Sequence, residues 1–540
     1  MTPQNDISIR IGGEAGQGMK LISGLLGKIF VQKGFWVFTN QDVRSRIRGG
    51  HNFSQIRIAN HPIHSHSSQV DLLVSLDEKT LDLHKEETEG PILYDEDSIK
   101  GNPPSGNRYI PVSFQKIAQN TGGDARMANS VASGALLALL GIPLDSLYKI
   151  QEKIFQEKGK KIIEANQKSA QAGFKQTKNA GKEKHFYHLK NPDQTNRMIL
   201  TGSEAMGMGA LASNLRFYSA YPMSPATTIM EFLASRKNQH GLIVEQAEDE
   251  ISAINMAIGA FFSGARAMVA TSGGGMALMV EGISLAGMTE TPVVIINAQR
   301  PAPATGFPTR TEQADLLYAA HAGHGEFPRC LLAPSTAEEA FYLTNKAFYL
   351  AEKYHSPVII LGDQYLNDSS WTVEKLNLEN LYPDPQGFLS EEKLKNMNPY
   401  EYRRYQMTPS GITPRIRPGT PHQVLYADSD EHTEEGHITE SARVRNQMVE
   451  KRLSKEQGLL KEMSSPQIYP HQKADIYLLS WGSTWGIVDE TVKTLRNKGT
   501  DIGYIHFSEI FPFRKDSIPP GIIKTSRLIG VENNATGAIL

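Results

Sequence analysis

The stretch Glu245-Gln-Ala-Glu-Asp-Glu250-Ile-Ser-Ala-Ile-Asn-Met-Ala-Ile-Gly-Ala-Phe-Phe-Ser263 predicts a helix with a carboxylate on its apolar side. At helical spacing, Glu250 shares a face with four apolar residues, namely Ala247, Ile254, Ala257 and Phe261. An ionised carboxylate is costly to bury alone, so such a group usually has its pKa raised or meets a specific donor. A structural salt bridge and a functional acid both stay open from this stretch alone.

Apolar runs on both sides of this helix predict an α/β domain with a parallel sheet over residues 195–375. The strand-like runs, which alternate with periodic helices, are Met198 to Leu200, Arg216 to Ser219, Ala267 to Ala270, Pro292 to Ala298, and Pro357 to Leu361. Ligands of such sheets bind at the carboxyl ends of the strands. The loops that follow these runs are therefore the candidate positions for a ligand site.

Three of these loops carry unusual residues. In Tyr221-Pro-Met-Ser224-Pro225, two prolines fix the backbone around the Ser224 hydroxyl. Thr271-Ser-Gly-Gly-Gly275 precedes a helix and could wrap a flat ligand or an anion. Gln299-Arg300 opens a loop that runs through Thr305 and Thr309, and the forked guanidinium matches a carboxylate. Turn chemistry or a surface ion pair explains each loop singly, but their convergence on one sheet edge favours a ligand site.

Residues 1–190 predict a separate α/β domain that ends in a polar linker. A strand from Ile7 to Ile11 leads through Gly12-Gly-Glu-Ala-Gly16-Gln-Gly18 into a helix. The glycines indicate a packing turn, a phosphate or cofactor contact or, least of all, a nicotinamide site. The loop bearing Arg44, Arg46 and Arg48 is either solvated or a site for an anionic ligand. From about Lys158 to Lys190 the composition is typical of an exposed helix end and linker.

Residues 376–470 predict an irregular charged insertion with one exposed helix, from Arg443 to Met463. Its cluster of Asp430, Glu431, His432, Glu434, Glu435 and His437 could ligate a metal, but a solvated acidic loop is the better interpretation, so we predict no metal site. Residues 471–540 predict a last α/β domain, with a strand from Ile476, a helix from Ile487 to Lys498 and further strands near Ile502 and Leu528.

Composition limits the classes of function. The 540 residues suggest roughly three or four domains, and 39% hydrophobic with 21% charged residues is ordinary for a globular protein. A net charge of -2 makes no electrostatic case for nucleic acid or membrane partners. The N-terminus does not resemble a signal peptide, and a cytoplasmic location is the default expectation. Cys330 is the single cysteine, so the chain cannot supply the four thiolates of an iron–sulfur cluster.

Four ordered motifs carry a family resemblance. Tyr221-Pro-Met-Ser-Pro225, Glu248-Asp-Glu250, Thr271-Ser-Gly-Gly-Gly275 and Gln299-Arg300 resemble the motifs of the alpha subunit of 2-oxoacid:ferredoxin oxidoreductases. Gly13 to Gly18 and Ile47-Arg-Gly-Gly-His51-Asn52 resemble the gamma unit of that family, here fused ahead of the alpha unit. Gly411-Ile-Thr-Pro-Arg415, Ser429-Asp-Glu-His432 and Gly436-His-Ile-Thr-Glu440 resemble the branch usually assigned to 2-oxoglutarate, the 2-oxoglutarate synthases.

The resemblance implies a chemistry for these residues. Enzymes of this family use thiamine diphosphate to decarboxylate a 2-oxoacid, pass the electrons to ferredoxin and transfer the acyl group to coenzyme A. Glu250 stands where a buried carboxylate activates the aminopyrimidine ring of the cofactor. Arg300 would pair with a substrate carboxylate and Ser224 would hydrogen-bond the oxoacid. The predicted pyrimidine pocket further contains Tyr221, Pro222, Thr271, Ser272 and Gly273, and Thr309 is a further candidate for substrate binding.

The resemblance also implies a partner. A diphosphate and magnesium motif is not recognisable, since Gly362-Asp-Gln364 and Glu532-Asn-Asn534 lack its remaining elements. We therefore expect a beta subunit to supply that half of the site, the Mg²⁺ and a [4Fe-4S] cluster, in an (alpha–beta)2 assembly. The last domain resembles the transketolase C-terminal domain but stops early, as a shortened version or an incomplete sequence.

Departures from the family motifs are local. Serine at 224 keeps the hydroxyl of the usual threonine without the methyl that restricts its rotamer. Gly274 replaces a proline, which predicts a looser loop, and Pro301-Ala-Pro-Ala304 replaces Gly-Pro-Ser. Three hypotheses follow: a 2-oxoglutarate enzyme, the same chemistry on pyruvate or another 2-oxoacid, and a non-catalytic binding or assembly homologue. The last is disfavoured because Glu250, Ser224 and Arg300 are all present.

Overall fold

The computed structural model describes residues 6–44, 49–180, 192, 196–385, 387–470 and 473–539. Two units make up the chain. The first contains Met1–Leu200 and Ser369–Leu376, and the second contains Thr201–Asp368 and Asn377–Leu540. Arg46 and Arg48 of the predicted basic loop lie outside the described residues.

The first unit is an eight-stranded sheet with helices. Its strands are β1 (Asp6–Glu14), β2 (Trp36–Asp42), β3 (His51–Ala59), β4 (Leu72–Ser75), β5 (Ile92–Asp95), β6 (Tyr109–Val112), β7 (Arg197–Thr201) and, much later in the chain, β14 (Ser370–Glu374). Its helices are α1 (Met19–Gln32), α2 (Glu78–His84), α3 (Phe114–Gly122), α4 (Ala128–Leu139), α5 (Asp145–Phe155) and α6 (Lys160–Ala180).

The strand order of this sheet, β6-β5-β4-β1-β3-β2-β14-β7, disfavours a nicotinamide site. In the dinucleotide fold the strand after the glycine-rich turn and helix pairs directly with the first strand. Here β3 lies between them and is antiparallel to both β1 and β2. The polar end of β2, at Asp42, therefore does not adjoin the glycine turn after β1 in the way that nucleotide binding requires.

Residues 160–180, for which the composition predicted an exposed helix end and linker, form the long helix α6, which packs closely on α4. Methyl groups built on Gly134 and Gly173 would lie 2.0 Å from the Ala170 carbonyl oxygen and 2.2 Å from the Val131 carbonyl oxygen. Composition misled because the fully buried residues of α6 are small or polar and allow close approach of the two backbones, while Ile162 and Phe174 add only partly buried apolar contacts to the core. Residues 181–190 of the predicted linker lie outside the described residues.

Two strands within the bounds predicted for the second domain, residues 195–375, belong to the first sheet. β7 lies at its edge, and β14 pairs antiparallel with β2, with Ser370 opposite Thr39 and Trp371 opposite Phe38. The Thr372 hydroxyl accepts from the Val37 amide (2.8 Å) and donates to its carbonyl oxygen (3.0 Å). Such pairing over more than 300 positions leaves no periodic trace in the sequence.

The second unit contains the remaining elements. Its strands are β8 (Phe217–Ala220), β9 (Ile243–Gln246), β10 (Ala267–Thr271), β11 (Val293–Gln299), β12 (Cys330–Leu332), β13 (Pro357–Asp363), β15 (Gln467–Tyr469), β16 (Ile476–Trp481), β17 (Ile502–Phe507), β18 (Glu509–Phe511) and β19 (Arg527–Gly530). Its helices are α7 (Gly202–Ala212), α8 (Thr227–Ala234), α9 (Lys237–His240), α10 (Glu250–Phe262), α11 (Gly273–Met288), α12 (Leu316–Ala320), α13 (Ala337–Tyr354), α14 (Gln364–Asp368), α15 (Glu391–Lys395), α16 (Ala442–Glu462), α17 (Trp485–Asn497) and α18 (Pro520–Thr525).

The seven-stranded sheet of this unit has the order β18-β12-β13-β11-β10-β8-β9. All its neighbouring strands are parallel except β12 and β18. β11 and β13 are buried over their whole length, as expected where helices cover both faces of a parallel sheet. A smaller sheet, β15-β17-β16-β19, is parallel around β16, so the predicted mixed α/β class with parallel-sheet domains is confirmed.

The predicted charged helix of the insertion is present as α16, but one face of it is buried and contains an ion cluster. In α16, Lys451 and Lys455 lie one turn apart, and both contact the Glu290 carboxylate. All three side chains are about 1% exposed, and the Lys451 Nζ to Glu290 Oε1 distance is 2.7 Å. The helix was predicted correctly, but the exposure of this face was not, because charge normally indicates exposure whereas Lys451 is neutralised by a carboxylate 161 positions away.

The predicted solvated loop around Glu431 is also packed against α16. The Glu431 carboxylate accepts from Arg452 (2.8 and 3.0 Å) and Arg445 (2.6 Å). His432 is fully buried with its ring centroid 3.9 Å from that of Tyr405. Within the described ranges, no group of three or more His, Cys, Asp or Glu side chains is arranged to hold a metal ion.

No helix within the described ranges is long and apolar enough to cross a membrane.

The buried cluster generates a stability prediction. Glu290→Gln leaves two buried lysines without their counter-ion, and we expect it to lower the free energy of unfolding by about 3–5 kcal/mol. Denaturant titration followed by circular dichroism measures this change. The matched control is Glu435→Gln, which removes an exposed ion pair with Arg403 and should cost at most about 1 kcal/mol. Equal effects of the two variants would contradict the assigned role of Glu290.

Candidate active site

The candidate site lies where three neighbouring parallel strands end. In the order β11-β10-β8, the strands pair in parallel, so their carboxyl ends meet at one edge. The loop that follows β8 carries Ser224, Thr271 is the last residue of β10 and Ser272 follows it, and Arg300 follows β11 directly. The predicted loops are thus brought to one sheet edge.

Glu250 is the first residue of α10, which begins later than the sequence indicated. Residues 243–246 form the edge strand β9 instead, since Glu245 pairs with Ser219 and Gln246 with Ala220. Asp249 is the N-cap, and its side chain accepts from the Ser252 amide at 2.7 Å. An aspartate directly before the apolar run was the available signal for this start.

The Glu250 side chain is buried, with 3% exposure. Among the described residues, its Oε1 atom has no hydrogen-bond partner. Burial raises the pKa of this carboxyl above its ordinary value. The structural alternative from the sequence, a salt bridge, is therefore not what the structure shows, and Oε1 is free to meet a ligand.

The missing side chain of Gly275 lets this carboxylate and Thr271 lie close against the backbone of α11. A methyl group built on Gly275 would lie 2.5 Å from Glu250 Oε1 and 2.1 Å from Thr271 Oγ1. Ser272 is fully buried, and its hydroxyl also has no hydrogen-bond partner within the part of the chain that the structure describes. The starts of α11 and α10 thus bring two buried polar atoms that lack hydrogen-bond partners among the described residues, Glu250 Oε1 and Ser272 Oγ, to the same end of the sheet.

Arg300 and Ser224 are in contact. Arg300 Nη1 donates to the Ser224 backbone carbonyl oxygen at 2.7 Å, while the Ser224 residue itself is exposed. Burial lowers the pKa of Arg300. One arm of the guanidinium therefore fixes the loop after β8, and its remaining donors can bind a carboxylate.

The other predicted site residues differ in exposure. Tyr221 is 42% exposed, and Pro222 and Thr309 are half-buried. Gly273 is the first residue of α11, and a methyl group there would lie 2.4 Å from Asp315 Oδ2. Gly274 is in ordinary contact distance of Ala304, since a methyl group there would lie 3.6 Å from the Ala304 carbonyl oxygen.

Sequence reasoning missed Asn297 and Asp315. Asn297 Nδ2 donates to Asp315 Oδ2 at 3.0 Å, and burial raises the pKa of Asp315. Asp315 thereby lies against the start of α11, where the helix dipole favours a carboxylate. An amide within the otherwise apolar run Val293 to Ala298 was a signal that could have identified Asn297.

In the first unit, the glycine turn is in part explained by packing. Gly18 caps α1 with φ 76°, and a methyl group on it would lie 2.0 Å from the side chain of Asn129. A cleft of about 370 Å³ adjoins Gly16 and Gln17 and is lined also by Asp95 and Arg126. A ligand contact at this turn stays a prediction.

The acidic residues of the two incomplete diphosphate motifs, Asp363 and Glu532, accept hydrogen bonds from other residues of this chain. The Asp363 carboxylate accepts from the Ser483 hydroxyl and the Leu366 amide (2.8 Å). Glu532 Oε2 accepts from the indole of Trp481 at 2.8 Å. Cys330 is buried in β12 with its sulfur 3.6 Å from Met463 Sδ, and burial raises the pKa of its thiol. These groups serve internal packing.

Comparison with known proteins supports the motif-based prediction. Residues 208–451 match the thiamine-diphosphate-binding domain of pyruvate flavodoxin/ferredoxin oxidoreductases, and residues 8–176 match a second domain of pyruvate ferredoxin/flavodoxin oxidoreductases. A 2-oxoacid:ferredoxin oxidoreductase alpha subunit from Saccharolobus solfataricus is 30% identical over 98% of this chain and 92% of its own length. The 2-oxoglutarate synthase subunit KorA of Methanothermobacter thermautotrophicus is 32% identical over 63% of this chain and 88% of its own length.

A solved structure is similar over the full fold. The 2-oxoglutarate:ferredoxin oxidoreductase from Magnetococcus marinus, solved with 2-oxoglutarate, coenzyme A and succinyl-CoA bound, superposes with a TM-score of 0.89. It is 29% identical and covers 99% of this chain and 93% of its own. The resemblance found in the four motifs is thus confirmed, and this chain belongs to the 2-oxoacid:ferredoxin oxidoreductase family, in which it matches the alpha subunits.

Proposed function

We propose that this chain is the alpha subunit, with a fused gamma domain, of a 2-oxoglutarate:ferredoxin oxidoreductase. The enzyme converts 2-oxoglutarate, coenzyme A and oxidised ferredoxin into succinyl-CoA, carbon dioxide and reduced ferredoxin. The observation that carries the proposal is the buried Glu250 carboxylate with an unpartnered oxygen, next to Thr271 and Ser272 at the sheet edge. The solved structure of similar fold contains 2-oxoglutarate and coenzyme A, which supports this choice of substrates.

Glu250, Thr271 and Ser272 fit the pyrimidine half of thiamine diphosphate. The raised pKa of Glu250 lets its carboxyl share a proton with a ring nitrogen, and the low polarity around it strengthens that hydrogen bond. When bound, the cofactor supplies the carbanion that attacks the keto carbon and the electron sink for decarboxylation. Tyr221, Pro222 and Gly273 shape the pocket, and Thr271 and Ser272 supply hydroxyls to it.

Arg300 and Ser224 hold the 2-oxoacid in this proposal. The guanidinium donors that do not bind the Ser224 carbonyl oxygen pair with a substrate carboxylate. The Ser224 hydroxyl, exposed at the edge, hydrogen-bonds the oxoacid, and Thr309 contributes from the loop after β11. The chain needs no metal of its own for these roles.

A beta subunit completes the site. Among the described residues, four apolar side chains close in sequence to the site motifs are exposed, namely Tyr221 (42%), Ile251 (48%), Leu278 (49%) and Phe307 (66%). We infer that they contribute to the contact with this partner, since contiguous exposed apolar groups mark interaction surfaces. The beta subunit would bring the diphosphate and Mg²⁺ site and the [4Fe-4S] cluster, in an (alpha–beta)2 assembly, and a cytoplasmic location suits an enzyme that uses ferredoxin.

A second candidate is the same reaction on pyruvate or on several 2-oxoacids. The relative from Saccharolobus solfataricus, which matches almost the whole chain, has the general name 2-oxoacid:ferredoxin oxidoreductase. The two candidates predict different substrate profiles.

Dye reduction by the reconstituted complex separates these candidates. With coenzyme A, we expect 2-oxoglutarate to give a kcat/KM at least about tenfold above pyruvate and branched or aromatic 2-oxoacids, because the first candidate requires that the site bind the second carboxylate, which these acids lack. The chain without its beta subunit should bind thiamine diphosphate poorly and reduce no dye. Robust activity of the lone chain, or a preference for pyruvate, would contradict the first candidate.

Glu250→Gln tests the cofactor role. We expect turnover of the reconstituted complex to fall by about 100-fold or more, since the amide cannot exchange a proton with the ring. Exchange of the cofactor thiazolium C2 proton with solvent, followed by NMR, should slow in parallel. Glu248→Gln changes an exposed neighbour and should leave both rates unchanged. Unaltered proton exchange in Glu250→Gln would refute the role.

Arg300→Lys tests the substrate contact. Lysine keeps the positive charge but lacks the paired N–H donors with which a guanidinium binds a carboxylate. We therefore expect KM for the 2-oxoacid to rise about tenfold or more with a smaller change in kcat. The control is Arg216→Lys, an exposed residue directly before β8 at the opposite end of the strand. A KM for the 2-oxoacid that stays at the wild-type value in Arg300→Lys would exclude Arg300 from substrate binding.

A further inference from the structure

The loop after β11, residues 301–312, is called the substrate loop here, because Arg300 precedes it and Thr309 lies within it. Its tip is open to solvent, since residues 302–307 are exposed. Hydrogen bonds inside the loop join the Phe307 amide to the Pro301 carbonyl oxygen (3.1 Å), the Arg310 amide to the Phe307 carbonyl oxygen (3.1 Å) and the Ala302 amide to Glu312 Oε2 (3.3 Å). The conformation of this tip therefore depends on how residues 311–313, called the base of the loop, are held.

The end of the base is bound to the segment after β19 by four hydrogen bonds. Two join Gln313 to the Asn533 backbone: the Gln313 amide donates to the Asn533 carbonyl oxygen (2.7 Å), and the Asn533 amide donates to Gln313 Oε1 (3.1 Å). The other two come from side chains. Asn533 Nδ2 donates to the Thr311 carbonyl oxygen (3.2 Å), and Asn534 Nδ2 donates to the Gln313 carbonyl oxygen (3.1 Å).

The segment after β19 that binds the base of the loop, residues 532–534, is itself held by hydrogen bonds. Glu532 Oε2 accepts from the Trp481 indole and from Asn534 Nδ2 (2.9 Å), and Glu532 Oε1 accepts from the amides of Ala538 (2.8 Å) and Ile539 (3.0 Å). Gln313 Nε2 donates to the Trp481 carbonyl oxygen at 2.8 Å, and Gln313 is fully buried. The hydrogen bonds of Asn533 and Asn534 thus connect the loop to the carboxyl ends of β16 and β19.

The opposite side of the base is attached to β13. The Tyr365 amide donates to Thr311 Oγ1 at 3.3 Å, and the same hydroxyl donates to the Asp363 carboxylate. Asp363 and Glu532 are the two acidic residues of the motifs that do not form a diphosphate site. Both instead stabilise the base of the substrate loop.

We propose that Asn533 and Asn534 are positioning residues for 2-oxoacid binding. They touch neither the predicted cofactor pocket nor Ser224, but they fix the backbone at Thr311 and Gln313, two and four residues after Thr309. Because Arg300 is held by the Ser224 carbonyl oxygen at the other end, the loop between the two anchors keeps one shape. This inference rests on the proposed function only for the identity of the ligand.

Limited proteolysis of the full-length chain tests the anchor without any activity. Between Arg300 and Gln313 the one bond open to trypsin follows Arg310, since Arg300 precedes a proline. In the double variant Asn533→Ala/Asn534→Ala we expect cleavage after Arg310 to be about tenfold faster, because two hydrogen bonds that hold the base are lost. Asn497→Ala, an exposed change at the end of α17, should cleave at the wild-type rate.

Kinetics of the reconstituted complex test the link to substrate. We expect the double variant to raise KM for the 2-oxoacid about tenfold while kcat and the affinity for thiamine diphosphate stay near wild type. General loss of folded protein would lower the apparent kcat and leave KM unchanged. Wild-type cleavage after Arg310, or a fall in kcat without a rise in KM, would overturn the inference. If no variant and no wild-type complex used any 2-oxoacid, the proposed function would fail while the proteolysis result still decided the anchor.

Discussion

The parallel pairing of β8, β10 and β11 places every loop of the candidate site at one edge of the sheet. A different feature follows each strand: the Ser224 hydroxyl between two prolines after β8, the glycine-rich start of α11 after β10, and the Arg300 guanidinium after β11. A shift of one strand by a single residue would separate Arg300 from the Ser224 carbonyl oxygen, which it contacts at 2.7 Å. The geometry of the site is therefore a property of the sheet rather than of any one loop.

Glu250 depends on this arrangement. A carboxylate with one unpartnered oxygen is unfavourable in a dry interior, and burial without a ligand costs free energy. The surrounding structure tolerates it because Asp249 caps α10 and the face that follows Glu250 is packed, with Ile254, Ala257 and Phe261 buried. A group kept unsatisfied by a stable scaffold is characteristic of binding sites.

Much of this site could be predicted from sequence because the informative patterns are local. The buried face that includes Glu250 follows from helical spacing, and the positions of Ser224, Thr271 and Arg300 at strand ends follow from the apolar runs before them. Interactions between distant residues could not be read in this way. The pairing of β14 with β2, the neutralisation of Lys451 and Lys455 by Glu290, and the contact of Asn534 with Gln313 each join residues more than 150 positions apart. Small residues on α6 hid a packed face for a different reason, since close backbone approach needs no large side chain.

We propose above all that Glu250 binds the pyrimidine ring of thiamine diphosphate. The most direct measurement is the structure of the complex of this chain with its beta subunit and thiamine diphosphate. In that structure we expect one Glu250 carboxylate oxygen to lie within hydrogen-bond distance, about 2.6–3.2 Å, of a pyrimidine nitrogen, with Thr271 and Ser272 lining the ring. A pyrimidine ring bound elsewhere, with Glu250 paired to a side chain of either subunit, would contradict it.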